Sequence, residues 1–197
     1  MPRSERVTTK PGERRNEILQ TLATMLEQPQ AEKITTANLA RHLELSEAAL
    51  YRHFASKAQM FEGLIAFIEE TLFSRINRIL AEKTLGLDQV ESMLALMLAF
   101  ADKNPGMTRV LIGDALVHEN ERLQARINQV HDRLEATLRQ SLRIATSGAE
   151  LPPNTPTSAY ANALLCYVIG RWQQFAKSGF KRSPLTDWEL QWALLRP

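Results

Sequence analysis

The sequence predicts an all-α protein of about nine helices, and three observations lead to this fold class. Apolar residues recur at helical spacing along most of the 197 residues, several segments begin at capping residues, and the alternation typical of a strand is not convincing anywhere. The first helix is expected to begin near Glu13 and to end before Pro29. The other helical patterns cover residues 36–43, 47–53, 57–81, 88–103, 107–116, 118–145, 157–177 and 187–195.

Residues 1–13 precede this first helix and are interpreted as a disordered basic arm. Residues 1–60 contain nine Lys and Arg against seven Asp and Glu, whereas residues 61–197 contain fifteen of each. The positive excess therefore lies in the first third of the chain. Such an arm suits contact with nucleic acid, although a solvated terminus often has the same composition.

The next two short helices carry the pattern of a helix-turn-helix. Thr35 or Thr36 can cap the first helix, Ser46 the second and Ser56 the long helix that follows, because their side chains accept hydrogen bonds from free backbone amides. Apolar residues supply the inner faces and the turn, namely Leu39, Ala40, Leu43, Leu45, Leu50 and Phe54. In this motif the N-terminal residues of the second helix reach the bases of the major groove.

The same stretch resembles the TetR family, whose motif runs Ser-x-Gly/Ala-x-Leu-Tyr-x-His-Phe-x-x-Lys. The matching residues are Ser46, Ala48, Leu50, Tyr51, His53, Phe54 and Lys57. Within that family, residues 13–145 resemble the nucleoid occlusion factors through the segments SEAALYRHF, MFEGLIAFIEETLFSRIN and NPGMTRVLIGDALVHENERLQARINQ. The stretch after residue 145 resembles the family more weakly. Glu44 occupies the turn where the family commonly has Gly, a departure that costs about 1 kcal/mol if its φ is positive.

The resemblance implies a cytoplasmic, nucleoid-associated homodimer without a cofactor. It implies binding to palindromic double-stranded DNA, with one or more dimers per site, and antagonism of the tubulin-like division protein FtsZ by the DNA-bound protein. A ligand-responsive TetR-type transcriptional repressor is the alternative. The two readings share every DNA-contacting residue and differ in whether helices 57–145 enclose a small-molecule cavity or present a surface groove.

The DNA-binding residues are carried over from the motif by position. Tyr51, Lys57 and His53 are expected to contact the DNA backbone, and Ser46, Ala48 and Ala49 to face bases. Thr35 and Thr36 anchor the first short helix, and Arg14 and Arg15 extend the basic surface. Because Ala48 and Ala49 offer only apolar contacts, phosphate contacts and DNA shape are expected to supply much of the affinity.

The sequence contains no pattern that predicts an enzyme, a metal site or a membrane span. Its eight glycines form no phosphate-binding motif, and its four histidines are too irregularly spaced for a helical metal site. Cys166 lies on an apolar helix, where a buried inert thiol is more common than a nucleophile. The longest apolar run, residues 93–101, is about half of the ~20 residues that span a bilayer, and the N-terminus has no signal-peptide core.

Arg75 falls within the predicted core stripe of helix 57–81, between positions where burial is expected. It must therefore reach solvent, form an internal ion pair or line a groove for an acidic ligand. Phe67, Thr71 and Arg75 form one row, and helix 88–103 shows a second apolar face beside its core face. The resemblance favours a groove for the FtsZ tail, lined by Phe67, Thr71, Arg75, Leu96, Lys103 and Asn104.

Helix 157–177 has an apolar face that is too wide for one neighbouring helix. A second subunit is expected to cover it, with Leu164, Leu165, Val168 and Trp172 at the dimer interface. An internal core position is the alternative. The predicted organisation is therefore an arm at 1–13, a DNA-binding domain at 14–60, and a domain for dimerisation and partner binding at 61–197.

Overall fold

The computed structural model describes residues 11–28 and 34–196, and in these ranges it is all-α, as predicted. One 3-10 turn, Asp114–Leu116, lies before α7. The nine α-helices of these ranges, numbered α1 to α9 in chain order, are Pro11–Leu26, Thr36–His42, Glu47–Tyr51, Lys57–Glu82, Gly86–Lys103, Pro105–Leu111, Glu121–Ser147, Thr157–Lys177 and Trp188–Leu195.

Several predicted boundaries need correction, among them the start of α7, which is Glu121 and not residue 118. Helix α1 already begins at Pro11, so the last three residues of the predicted arm are helical, and residues 1–10 lie outside the described part of the chain. Helix α6 ends at Leu111, whereas the sequence predicted a helix over residues 107–116. Gly113, with φ of +77°, interrupts the helical backbone there and leads into the 3-10 turn.

The helix-turn-helix forms as the caps predict. Thr35 Oγ1 accepts a hydrogen bond from the Asn38 amide at 3.1 Å, and Ser46 Oγ accepts one from the Ala49 amide at 3.1 Å. Ser56 Oγ likewise accepts a hydrogen bond from the Gln59 amide at 3.2 Å, which starts α4. Glu44 has φ of +54°, so the turn keeps the left-handed conformation without a glycine. These local bonds set where the three helices begin.

Helix α5 occupies the centre of the molecule and packs against α4, α6, α7 and α8. Its first apolar face is buried along its whole length, and Phe100 of the second face is also buried. Leu96 is half-buried against the same core, and Lys103 is exposed. The two apolar faces of this helix are therefore explained largely by packing between neighbouring helices.

Arg75 is exposed rather than buried within the core stripe of α4. The stripe turns around the helix along its length: Met60 and Leu64 are buried in the first half, and Phe73 and Ile76 in the second. The turn leaves Arg75 beside the stripe, facing solvent. Among the described residues it forms no ion pair, which removes the internal pair from the three possibilities.

The predicted dimer residues of α8 lie inside the single chain. Leu164, Leu165, Val168 and Trp172 are at most 5% exposed, and the Trp172 indole Nε1 donates a hydrogen bond to the Met97 carbonyl at 3.1 Å. Helices α5 and α7 cover this face. These four side chains are core residues, so their assignment to the dimer interface is corrected.

Helix α4 runs through the predicted domain boundary at residue 60 without interruption. A second link between the DNA-binding region and the remainder is the crossing of α1 and α6 at Gly106. A Cβ atom at Gly106 would lie 1.9 Å from the Ala23 carbonyl oxygen, so the two backbones are in direct contact. The two predicted domains therefore correspond to two sequence motifs, whose buried residues belong to one continuous hydrophobic core.

Candidate nucleic-acid interface and partner groove

The outer surface of the helix-turn-helix joins α2 to α3 through three side chains. Thr36 Oγ1 donates a hydrogen bond to Glu47 Oε2 at 2.7 Å, and the Tyr51 hydroxyl donates one to Thr36 Oγ1 at 3.4 Å. All three residues are exposed or half-exposed, and Leu50 between them is fully buried. Burial of Leu50 holds α3 on the domain, so that its opposite side faces outward.

The predicted base-facing residues lie at the beginning of this outward side. Ser46 and Ala48 are exposed, and Ala49 is half-buried. The Ser46 hydroxyl already accepts the capping hydrogen bond of α3, which leaves its own proton free to donate. Thr35 is used in the same way as the cap of α2. The structure thus leaves Ser46 and Ala48 accessible on the outside of the helix-turn-helix, and their contact with DNA stays a prediction.

The two arginines of α1, Arg14 and Arg15, make different contacts near the helix-turn-helix. Arg15 donates a hydrogen bond to the His53 carbonyl, and its guanidinium lies 4.1 Å from the centre of the Phe54 ring. It therefore fastens α1 to the end of α3. Arg14 instead forms an ion pair with Glu17 at 2.7 Å, one turn further along α1.

Lys57, the first residue of α4, forms an ion pair with Glu119. The two side chains are 21% and 14% exposed, so the pair is largely shielded from solvent. Glu119 lies just before α7, which means that this ion pair joins the helix-turn-helix to the C-terminal helices. Nothing in the sequence spacing indicated Glu119, which is 62 residues away from Lys57.

A small apolar cavity of about 50 Å³ lies between α1, α4 and α6. Phe67 stands at this cavity and is 40% exposed. The lining residues are Asn16, Leu19, Gln20, Leu64, Phe67 and Met107. Of the predicted groove residues, Phe67 thus takes part directly, and Thr71 and Arg75 continue the same row of α4 toward its C-terminal end.

Of the remaining groove residues, Lys103 and Asn104 lie where α5 passes into α6, and Leu96 lies within α5. Lys103 is exposed, and the Asn104 side chain donates a hydrogen bond to the Phe100 carbonyl at 2.7 Å. Met107 of the cavity follows them by one turn of helix. The sequence did not indicate Asn16, Leu19, Gln20 or Met107, because their shared cavity depends on how α1 packs against α6.

The outer surface of α8 presents small or polar side chains in the single chain. Ala159, Ala163, Cys166 and Gly170 are exposed along it at helical spacing. Cys166 is therefore not the buried thiol that the sequence suggested. In the same region of the chain, α9 exposes Leu190 and Leu194, which are 69% and 85% accessible.

The part of the chain that the structure describes has no cluster of metal-ligating side chains. None of its helices is long and apolar enough to cross a membrane. The features considered for function are the helix-turn-helix surface, the cavity beside Phe67, an open pocket of about 310 Å³ beside Asp114 and Lys177, and the exposed face of α8 and α9.

Known protein families match both the helix-turn-helix region and the C-terminal helices of this chain. Residues 18–64 match the model of bacterial regulatory proteins of the tetR family, and residues 82–197 match a tetracyclin repressor-like C-terminal domain of the SlmA type. The nucleoid occlusion factor SlmA of Vibrio vulnificus is 52% identical over 190 residues, which cover 95% of this chain and 96% of the relative. The chain belongs to the SlmA family of nucleoid occlusion factors. It is accordingly a DNA-binding, dimer-forming regulator of the TetR type.

Other SlmA proteins show similar agreement. The protein of Alteromonas mediterranea is 50% identical over 183 residues, covering 93% of this chain and 94% of the relative. That of Marinomonas sp. is 48% identical over 189 residues and covers 96% of each chain. The C-terminal region, which the sequence linked only weakly to the family, is therefore included in the SlmA match.

Solved structures share the fold of this SlmA-type chain at low sequence identity. The fatty acid degradation regulator FadR from Bacillus halodurans superposes with a TM-score of 0.80 at 12% identity, covering 95% of this chain and 97% of FadR. A TetR transcription regulator from Haloarcula marismortui has a TM-score of 0.79 at 14% identity, covering 94% and 97%. These likenesses establish the TetR architecture alone.

Proposed function

We propose that this SlmA-type protein binds palindromic chromosomal DNA as a homodimer and, in that state, antagonises assembly of FtsZ. In this way it would block cell division over the nucleoid from a cytoplasmic, nucleoid-associated position. The observation that carries the proposal is the arrangement along α4: Lys57 lies beside the DNA-facing surface, and the exposed Phe67 and Arg75 follow on the same helix.

The DNA contacts of the proposal follow the outward side of the helix-turn-helix. Ser46, Ala48 and Ala49 would face base edges, while Tyr51 and His53 would contact the backbone. Thr35 and Thr36 would anchor α2, and Arg14 and Arg15 would add positive charge beside it. Lys57 would contact a phosphate. To do so, its ammonium group has to break the ion pair with Glu119 or donate hydrogen bonds to Glu119 and the phosphate together.

The FtsZ site of the proposal combines the cavity beside Phe67 with two exposed cations, Arg75 further along α4 and Lys103 at the end of α5. A cavity of about 50 Å³ can receive one apolar side chain of an extended segment. The exposed Arg75 and Lys103 would attract acidic residues of the same segment. The FtsZ tail, which mixes apolar and charged residues, matches this combination, with Thr71, Leu96 and Asn104 at the margins.

Charge reversal at Arg75 tests the FtsZ site. Because Arg75 is exposed and has no ion pair among the described residues, Arg75→Asp is expected to change the free energy of unfolding by less than about 0.5 kcal/mol. FtsZ retention by the DNA-bound protein is expected to fall at least about tenfold, while DNA affinity stays within a few-fold. Pulldown of FtsZ with and without a palindromic DNA measures the first quantity, and fluorescence anisotropy measures the second.

A matched control is Arg78→Asp, which reverses an exposed charge one turn further along α4, where Arg78 lies 3.8 Å from Glu82. This variant is expected to retain FtsZ as the wild type does. Normal FtsZ retention by Arg75→Asp would remove Arg75 from the site. Loss of FtsZ retention in both variants would indicate a general charge effect instead of a groove.

The ligand-responsive repressor gains less support from the structure. Trp172 is fully buried and bonded to the Met97 carbonyl, so the space between α5 and α8 is filled by this side chain. The cavity beside Phe67 is well below the 300 to 1,000 Å³ typical of small-molecule sites. A second, open pocket of about 310 Å³ near Asp114 reaches that size, but its two cations, Arg109 and Lys177, are already ion-paired with Asp114. The surface reading is therefore preferred over the ligand-binding reading.

Because the predicted interface residues of α8 are buried within the single chain, the proposal assigns the dimer surface to the exposed side of α8 and to α9. Small residues at Ala159, Ala163 and Gly170 allow a second helix to approach closely. Leu190 and Leu194 add apolar area that water otherwise covers. A two-fold axis through this surface would present two copies of α3 to one palindromic site.

A further inference from the structure

Glu47 is the first residue of α3 and lies directly on the surface that the proposed function assigns to DNA. Its side chain is exposed and accepts the hydrogen bond from Thr36 Oγ1 at 2.7 Å. Thr36 is in turn bonded to Tyr51. The carboxylate is therefore held in one orientation by residues of both α2 and α3.

We propose that Glu47 reads a base in the major groove by accepting a hydrogen bond from the N4 amino group of cytosine. The proposal rests on the proposed function, because it requires α3 to enter the groove. Thr36 occupies one carboxylate oxygen, which leaves the other oxygen and its lone pairs for DNA. Glu47 would then be a specificity-determining residue of the helix-turn-helix.

Electrostatics restricts what a carboxylate can do at this position. Phosphates repel it, and guanine presents only acceptors in the major groove. Donors there are the amino groups of cytosine and adenine, and in adenine the N7 acceptor beside the amino group faces the same carboxylate unfavourably. Cytosine is therefore the base that an ionised Glu47 accepts best.

Glu47 has the longest polar side chain among residues 46–49 at the start of α3. Ala48 and Ala49 have no polar side-chain atoms, and the Ser46 hydroxyl already serves as the cap. Among residues 46–49, acceptance of a hydrogen bond from a base amino group therefore depends mainly on Glu47, while the free Ser46 proton can only be donated. A purely structural role, in which the carboxylate only holds Thr36 or favours the positive end of the helix, is the competing explanation.

Binding-site selection separates the two explanations. Wild type, Glu47→Ala and Glu47→Gln are each used to select sites from a DNA library that is randomised within a palindrome, and Kd is measured on the selected sites with single base-pair changes. The wild type is expected to prefer cytosine at one symmetric position of each half-site. Glu47→Ala is expected to reduce that preference roughly 5- to 100-fold and to leave the other positions unchanged.

Glu47→Gln gives the sharper result, because an amide both donates and accepts. Glutamine pairs with the N6 and N7 atoms of adenine, so the preference at the same position is expected to change from cytosine to adenine. A residue that only supports Thr36 would not change the preferred base. Glu44→Gln, which removes a similar exposed charge from the turn, is the control and is expected to select the wild-type site.

Two negative outcomes remain distinguishable. Selective DNA binding by the wild type, with the same base preferences in both Glu47 variants, would overturn the role of Glu47 and leave the proposed function intact. Wild-type protein that selects no sequence at all would contradict the proposed function itself. Thermal unfolding of each variant, monitored by circular dichroism, shows that the protein used in the selection is folded.

Discussion

Helix α3 and helix α8 both have an apolar side and a polar side, yet the apolar sides led to opposite conclusions. In α3 the apolar residue Leu50 packs onto neighbours within the same short motif, and the polar side is free. In α8 the wide apolar side was predicted to meet a second subunit, but α5 and α7 of the same chain cover it. The width of an apolar face shows that it is buried, and it does not show by which chain.

Val168→Glu gives the largest expected effect and tests this difference directly. Val168 is fully buried between helices of one chain. A carboxylate there should cost roughly 4 kcal/mol or more of folding free energy. Urea unfolding should show a large loss of stability or no folded protein. Folded monomers with native helix content would instead restore the dimer interpretation of this side of α8.

Ala163→Arg makes the corresponding change on the exposed side of α8. The long charged side chain should prevent close approach of a second chain, while the fold of the single chain is retained because Ala163 is exposed. Sedimentation is expected to show folded monomers, with affinity for a palindrome at least about tenfold lower, because two half-sites no longer bind as one unit. A dimer of unchanged stability would place the interface elsewhere.

The ion pair between Lys57 and Glu119 offers a smaller effect. If Lys57 binds phosphate, Glu119 competes for it, so Glu119→Gln should strengthen DNA binding by about two- to tenfold. Lys57→Ala should weaken binding and reduce the slope of log K against log salt by about 0.9. Titrations of a fixed palindrome at several salt concentrations measure both. Weaker binding by Glu119→Gln would show that Glu119 positions Lys57 for DNA.

The smallest expected effect is the pH dependence caused by His131. Burial lowers the pKa of His131 below its ordinary value, and the hydrogen bond to the Leu111 backbone and the charge of Asp132 oppose that shift only in part. Since the unfolded chain then binds the proton more strongly, stability is present above pH ~6.5 and is lost as the pH falls below it.

The expected slope is at most about 1.4 kcal/mol per pH unit, the value for one proton. Urea unfolding at several pH values between 5 and 8 measures it. His131→Gln removes the titrating group and should flatten this part of the curve. An equally steep curve for the variant would assign the pH dependence to other groups.

The fold and the helix-turn-helix were predictable because their signals are local. Thr35, Ser46 and Ser56 cap helices through amides only three residues ahead. The left-handed conformation of Glu44 was anticipated only through the glycine that the TetR family commonly has in this turn. In such segments the residues that determine the structure are close together in the sequence.

The partner groove and the dimer surface were predicted less well, because both depend on contacts between distant segments. Phe67 was identified from its row on α4, whereas Asn16 and Met107 share its cavity only because α1 crosses α6. The drift of the core stripe around α4 also decided that Arg75 is exposed. A projection onto a straight helix assumes that the buried side keeps one direction along the whole helix. This assumption fails for α4.

The crossing at Gly106 has a consequence for how this protein can vary by mutation. Every amino acid other than glycine has a Cβ atom, and here that atom would overlap the Ala23 carbonyl oxygen. Any missense change in codon 106 must therefore move α1 relative to α6, whatever the chemistry of the new side chain. Because α1 also holds the end of α3 through Arg15, such a change would alter the angle at which α3 is presented. A substitution at this position is therefore expected to persist only together with a second mutation that lets α1 move away from α6.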